Sequence, residues 1–300
     1  MERKTEPHER YRPLAEQAER TAKDIRVTLT RDTKPDPVAD VAIVYGGWWK
    51  EAACAPDARA YKSAKLAGIT GFSTHRELLD RRGDHPWEVT LTEVHDRPVL
   101  ALKDRLHAWD APIPDMQLLC RLQIEMLFEL GVRTVILTSG GFAPRYEGSL
   151  PFVYAIKNVI IPPGVRLPLY GPEHVDPNDA LDPELILLAH SGSRGDLPVS
   201  HGTYLATEGP QHMNRLNGRG LLDTHGGDVM GGTLAPEIAI AALCGMKAIP
   251  LCFVPSRSAH LARRTHTDRP PLDVYFTGHL RRLLKDIVKT IPRSDSKVQP

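Results

Sequence analysis

Apolar positions along the chain fall into two rhythms. Continuous runs of β-branched residues closed by glycines occur at VAIVYGG (41–47) and VRTVILTSGG (132–141), and each has the form of a buried strand feeding a tight turn. Between Pro114 and Leu130 the spacing changes to three and four residues, with Met116, Leu119, Cys120, Ile124, Leu127 and Phe128 on one stripe. That spacing predicts an amphipathic helix, capped by Gly131. A helix followed by a strand is half of a βαβ unit. WEVTLTEV and RPVLALKD predict an antiparallel pair turning at His95 and Asp96, so the sheet is expected to be mixed. GTYLATEGP predicts another strand, and TLAPEIAIAALCGMKAIPLCFV a helix from near Pro236 to Gly245 followed by a buried strand. A final helix is expected from about Leu272 to Thr290.

These elements imply an α/β fold of one domain with three layers, a central mixed sheet flanked by helices. Residues 1–37 are charged and rich in Glu, Lys and Arg, and are expected to form a helical or loose extension; the domain then occupies 38–292, and 293–300 should fray. Residues 161–183 are too dense in proline for a regular element and are expected to serve as a lid or a subunit contact. No internal repeat is visible.

Composition narrows the class. With 41% hydrophobic and 25% charged residues the chain has enough apolar material for a sizeable core. Its 38 Lys and Arg nearly balance 37 Asp and Glu, so no net field draws it to nucleic acid or an acidic membrane, and a small-molecule partner is expected. Cys54, Cys120, Cys244 and Cys252 form no CxxC pair, the first residues lack the apolar core of a signal peptide, and no apolar run is long enough to cross a bilayer. The expected location is the cytoplasm.

The ordered series of motifs is the most specific signal: strand-Gly-Gly, Arg105-Leu106-His107 after a hairpin strand, helix-LGV-strand-Gly-Gly, GTY and then GP four residues later, and Asp-Val, Pro-Glu and Cys-Gly in GGDVMGGTLAPEIAIAALCG. Over roughly residues 40–255 this order resembles the trimeric purine nucleoside phosphorylase and methylthioadenosine phosphorylase family. The resemblance implies a nucleoside phosphorylase-like fold, a homotrimer and cleavage of a purine–sugar bond with phosphate as nucleophile. Inorganic phosphate is then the co-substrate, and no cofactor is expected. Such chemistry passes through an oxocarbenium-like sugar, so it needs an anion held beneath the sugar, a group that meets negative charge on the departing base, and contacts that orient the sugar.

By that resemblance Arg105, His107 and Thr233 bind phosphate, with backbone N–H groups at Gly46 and Gly47, and with Ser139 and Gly140 in the second glycine loop. From spacing alone, Arg105 and His107 equally well solvate a strand end. Trp109, Gly141, Tyr204, Met213, Gly232 and Ser256 fall at substrate positions, and His212 and His107 are the candidate catalytic residues. The chain departs from the family pattern where Trp48 and Trp49 replace a small hydroxyl residue, where LTSGGFAP shortens the second loop, and where His212 and Met213 replace Phe-Glu. Methionine cannot accept the hydrogen bond that a glutamate takes from a purine ring N–H. Ser256 and Ser258 stand where acids or asparagine are expected, and Gly232 replaces a methionine that packs on the ribose. His212 either donates to the leaving base or sits on a surface turn; Tyr204 either touches the sugar or is a core residue with its hydroxyl bonded to backbone.

His225, His260 and His266 have no metal-ligand spacing, so no metal is expected. Arg263, Arg264 and Arg269 form either a solvated face or a contact for an anionic sugar substituent. A hydrolase using water, and a silent nucleoside-binding homologue, remain as alternatives to phosphorolysis.

Overall fold

The computed structural model describes residues 12–31, 37–49, 52, 62–72, 87–107, 114–148, 151–171, 173–191, 197–209, 215–255 and 274–293. Its strands are β1 (Val41–Tyr45), β2 (Lys62–Lys65), β3 (Glu88–Val94), β4 (Arg97–Lys103), β5 (Thr134–Gly140), β6 (Phe152–Ile160), β7 (Val199–Ala206), β8 (Val229–Gly231) and β9 (Lys247–Val254). Its helices are α1 (Arg12–Thr30), α2 (Pro114–Glu129), α3 (Pro183–Ser191), α4 (Arg215–His225), α5 (Leu234–Leu243) and α6 (Val274–Thr290).

Among the described residues the strands form a single nine-stranded sheet in the order β2-β3-β4-β1-β5-β9-β6-β7-β8. β4, β1, β5 and β9 run parallel, β2 and β3 are antiparallel additions, and β6 reverses direction against β9. The mixed sheet is therefore as the sequence pattern predicts. β1 is buried at every position, as a strand covered on both faces must be, which is why its sequence is a continuous apolar run. The β3–β4 hairpin turns where expected: His95 and Asp96 have φ of 52° and 56°, the paired left-handed conformation of the tight turn that suits strand twist.

α5 starts at Leu234, two residues before Pro236. Pro236 thus lies in the first turn, where its missing N–H removes no intrahelical bond. α1 belongs to the core. Its residues Ala18, Ala22, Ile25 and Leu29, spaced as one helical stripe, are all at most 3% exposed. α1 packs on α2, α2 on α5, and α3 on α6. β2, β6, β8, α3 and α4 are not among the elements that the sequence pattern predicts.

The sheet curls back on itself. Just beyond β5, Phe142 exchanges both backbone hydrogen bonds with Met230 of β8, each 3.0 Å. Gly141 makes this possible, because a Cβ there would meet Val229 Cγ2 at 2.6 Å and would also run into Cys252 Sγ. Phe142, Leu205, Leu222 and Met230 form a small apolar cluster at the crossing. This closure carries the short β8, and the start of α5 behind it, to the carboxyl ends of β1, β4, β5 and β9. Open α/β sheets bind ligands at that edge.

Candidate functional site

Local backbone conformation turns Arg105 inward. Asp104, at the end of β4, has φ of 58°, a left-handed conformation that Asp tolerates better than most residues. α2 then holds the next residue: Gln123 Oε1 accepts from Leu106 N at 3.1 Å, and Gln123 Nε2 donates to Leu106 O at 3.2 Å. Cys120 Sγ donates to the same carbonyl at 3.0 Å. The segment bearing Arg105 and His107 is thereby fixed from one side by a buried amide that reads its backbone as a strand would.

Arg105 is 3% exposed, and most of its donors are committed. Nη1 donates to Glu237 Oε2 at 2.7 Å, while Nη2 donates to the carbonyls of Val44 (2.9 Å) and Thr138. Among the described residues Nε has no hydrogen-bond partner, and neither does Glu237 Oε1 on the other side of the pair. Gly46 lies beside Nε: a Cβ there would stand 2.8 Å from Arg105 Nε and 2.9 Å from Thr138 O. A side chain at position 46 would collide with Arg105, so the glycine lets the guanidinium pack directly against the turn that follows β1. Gly46 N is itself tied to Thr138 Oγ1 at 3.2 Å, and that hydroxyl donates to Val44 O at 2.9 Å.

Glu237 belongs to α5, four residues after Thr233, so the two share a helix face. The helix thus brings Arg105 and Thr233 to one end of itself. Thr233 precedes the first turn of α5, and its side chain makes no capping bond there. Tyr204 does the capping: its hydroxyl, fully buried, accepts from Thr233 N at 3.2 Å and Leu234 N at 3.5 Å. Of the two placements open to Tyr204 this is the core one, with the hydroxyl bonded to backbone. Since Pro236 lacks an N–H, Ala235 holds the only other first-turn donor of this helix.

Burial sets the protonation of this pocket. It pushes the Glu237 carboxyl up to about 7, against the pull of the Arg105 guanidinium, and the same desolvation lowers Arg105. Of the two, the carboxyl is the group that becomes neutral, because guanidinium is by far the more basic partner. Burial also raises Tyr204, and drives the Cys252 thiol up to about 12, so Cys252 is not a nucleophile here.

The second glycine loop is occupied by aromatic residues. Ser139 is buried; its hydroxyl points at Cys252 Sγ (3.6 Å) and its carbonyl accepts from Trp49 Nε1 at 2.8 Å. A Cβ at Gly140 would meet Trp48 Cδ1 at 3.0 Å, so the indole of Trp48 lies directly over that glycine. Both indoles meet the edge of Phe253, at 6.3 and 6.4 Å between ring centroids. Gly47 begins the short 3-10 turn that carries the two tryptophans, and Gly232 is buried between β8 and α5. His107 is half-buried at the end of the Arg105 segment. Trp109, His212, Met213 and Ser256 lie outside the described residues, as do Ser258, His260, Arg263, Arg264, His266 and Arg269.

Thr138 and Gln123 are site residues that motif spacing does not single out, and Glu237 stands in the motif series as the Glu of Pro-Glu without a role attached to it. The signal that finds Glu237 is a lone charge in the otherwise apolar helix LAPEIAIAAL: a charged residue placed where every neighbour is buried needs a partner. Among the described residues no group of three or more His, Cys, Asp or Glu side chains is arranged to hold a metal ion, and no helix is long and apolar enough to cross a membrane. His225 ends α4.

Known proteins resemble this chain in sequence and in fold. Purine nucleoside phosphorylase 1 of Bacillus subtilis is 24% identical over 183 residues, which are 58% of this chain and 66% of that enzyme. S-methyl-5'-thioadenosine phosphorylase of Thermofilum pendens is 29% identical over 195 residues, 60% of this chain and 71% of that one. The chain thus spans just under two thirds of the Bacillus enzyme it matches. Isoform 2 of purine nucleoside phosphorylase from Schistosoma mansoni, solved with cytosine and ribose-1-phosphate, shares the fold: the TM-score is 0.74 at 22% identity, covering 93% of this chain and 98% of that one. The sequence model of the phosphorylase superfamily matches residues 72–291, a span that runs from before the β3–β4 hairpin through Arg105, the sheet closure and Glu237 to the end of α6, and by that match the chain belongs to the phosphorylase superfamily.

Proposed function

We propose that the chain is a pentosyltransferase that cleaves the N-glycosidic bond of a purine-type nucleoside with inorganic phosphate, releasing free base and a sugar 1-phosphate. The observation that carries this reading is the buried Arg105 guanidinium, whose Nε has no hydrogen-bond partner among the described residues, at the edge where β1, β4 and β5 end and α5 begins. A buried N–H of a charged group with no protein acceptor is a site for an anion. Thr233 adds a hydroxyl that the helix does not use, and the positive end of α5 adds a weaker attraction. Phosphate oxygen attacks the anomeric carbon as the bond to the base nitrogen breaks, and the bonding pair leaves with the base. His212 is the group that the family resemblance puts beside that base, where an imidazolium proton would meet the developing charge. By the same resemblance His107 would flank the anion, and Trp109, Met213, Gly232 and Ser256 would surround sugar and base, while Tyr204 and Gly141 act from behind the site, capping α5 and closing the sheet. The reaction needs no cofactor or metal. The enzyme acts as a homotrimer, as the family resemblance implies, and in the cytoplasm, the location drawn from the cysteine spacing.

A second reading has its own support. Trp48 covers Gly140 where the second loop would otherwise contribute to the anion site, and a smaller site suits water as the nucleophile. Release of free base from a panel of purine nucleosides, followed by chromatography with and without phosphate, separates the two. Phosphorolysis gives base and sugar 1-phosphate only when phosphate is present. Equal release without phosphate assigns a hydrolase, and nucleoside binding with no release under either condition removes both enzyme readings.

A further inference from the structure

The Arg105–Glu237 pair is neutral as a unit when both members are charged, and both are almost wholly buried. An anion arriving at Arg105 Nε would put two negative charges against one guanidinium, in a setting where unbalanced charge is strongly penalised. Among the described residues no Lys or Arg acts on Arg105 to offset that imbalance. The groups facing Arg105 are Asp104 next to it in the chain, Cys120 from α2, Tyr204 from β7 and Cys252 from β9, with His107 two residues on. Asp104 brings a second carboxyl group to Arg105, and burial keeps the Tyr204 and Cys252 protons in place. Glu237 combines a direct bond to Arg105 with a second carboxylate oxygen, Oε1, buried without a hydrogen-bond partner among the described residues, and with a protonation equilibrium that burial has moved up to about 7.

We propose that Glu237 is a positioning residue whose protonation is linked to the anion site: seating an anion beside Arg105 Nε draws one proton from solvent onto Glu237 Oε1, while Oε2 keeps its bond to Arg105 Nη1 and holds the guanidinium in place. The pocket then carries one positive and one anionic group in both states, apart from any second charge on the anion. This inference rests on the reading of the Arg105 pocket as an anion site. Glutamine is the permanent mimic of the protonated state, since its carbonyl can accept from Nη1 and its amide carries N–H where the acid carries O–H.

The test is titration calorimetry of the full chain and of Glu237→Gln with sulfate and, separately, with inorganic phosphate, in buffers of differing ionisation heat. Sulfate stays a dianion near neutrality, so any proton taken up with it belongs to the protein. The wild type is expected to take up a proton with sulfate, and its affinity to fall by up to about tenfold per pH unit above about pH 8, the slope of one linked proton. Glu237→Gln is expected to bind sulfate without uptake and with little pH dependence. Binding without uptake in the wild type, or the same uptake in Glu237→Gln, which would assign the proton to His107 or Asp104, overturns the inference and leaves the anion site standing. Failure of both anions to bind the wild type removes the anion site and this inference together. If the variant does not fold, infrared difference spectra of the wild type on adding sulfate answer the same question. A new protonated-carboxyl band supports the proposal, and its absence overturns it.

Discussion

Arg105 shows how one side chain is divided between structure and chemistry. Three of its contacts, to Glu237 and to the carbonyls of Val44 and Thr138, tie together the ends of β1 and β5 and the first turns of α5, and Nε is the nitrogen left with no partner among the described residues. Removing Glu237 therefore has a structural consequence apart from any catalytic one. Glu237→Ala leaves a buried guanidinium without its counter-charge and is expected to destabilise the fold by ~3–5 kcal/mol in denaturant titration, with Glu237→Gln far milder. The pH dependence carries its own sign. The carboxyl rises from 4.5 to about 7 on folding, so the folded chain binds the extra proton between those values. Stability from this group is complete below the lower value and is lost as pH climbs through the upper one. Thermal melts of wild type and Glu237→Gln should accordingly diverge between about pH 5 and about pH 8, the variant gaining on the wild type. A constant gap across that window would mean that Glu237 does not titrate there. The motif Arg-Leu-His made Arg105 legible in the sequence, but not which of its nitrogens remains for a ligand, because that depends on carbonyls from two other strands.

At the scale of elements, buried side chains fasten distant segments by binding backbone. Gln123 of α2 holds Leu106, and Arg121 of the same helix makes a two-bonded pair with Glu173 at 2.5 and 2.8 Å, so the proline-rich segment 161–183 is anchored from beneath. Arg97 of β4 does the same for α6: it pairs with Asp40 at 2.6 Å and donates to the carbonyls of Ile291 (2.6 Å) and Pro292 (3.0 Å) just past the end of the helix. Arg97→Ala is expected to destabilise by ~2–5 kcal/mol, since it strands a half-buried carboxylate and several carbonyls. Hydrogen exchange should quicken first in the last turns of α6. Uniform quickening across the sheet would show that Arg97 acts on the whole core instead. The helices and hairpin that periodicity predicts are those whose apolar stripe or turn is complete within a few residues. β8, with three residues, has no period to read, while β6 carries the signal of an apolar aromatic and β-branched run, FVYAIKNVI.

For the whole molecule, the deciding event is closure of the sheet at Phe142 and Met230, which fixes where β8 and α5 meet the other strands. Gly141→Ala should loosen that closure, because a Cβ there overlaps Cys252 Sγ and approaches Val229 Cγ2 to 2.6 Å. The expected outcome is faster alkylation of Cys252, located by peptide mass mapping, together with weakened anion binding. Unchanged Cys252 reactivity would mean that the crossing accommodates a methyl group. The sequence by itself determined the mixed α/β class, the hairpin turn at His95 and Asp96, the buried strands and the order of motifs, since continuous apolar runs, helical stripes and turn residues act over short stretches of chain. Only the tertiary structure decided that Trp48 covers Gly140, that Tyr204 caps α5 and that Glu237 answers Arg105 across 132 positions. Those are contacts between segments far apart in the chain, and they exist because a curled sheet brings its edges together, which no local pattern encodes.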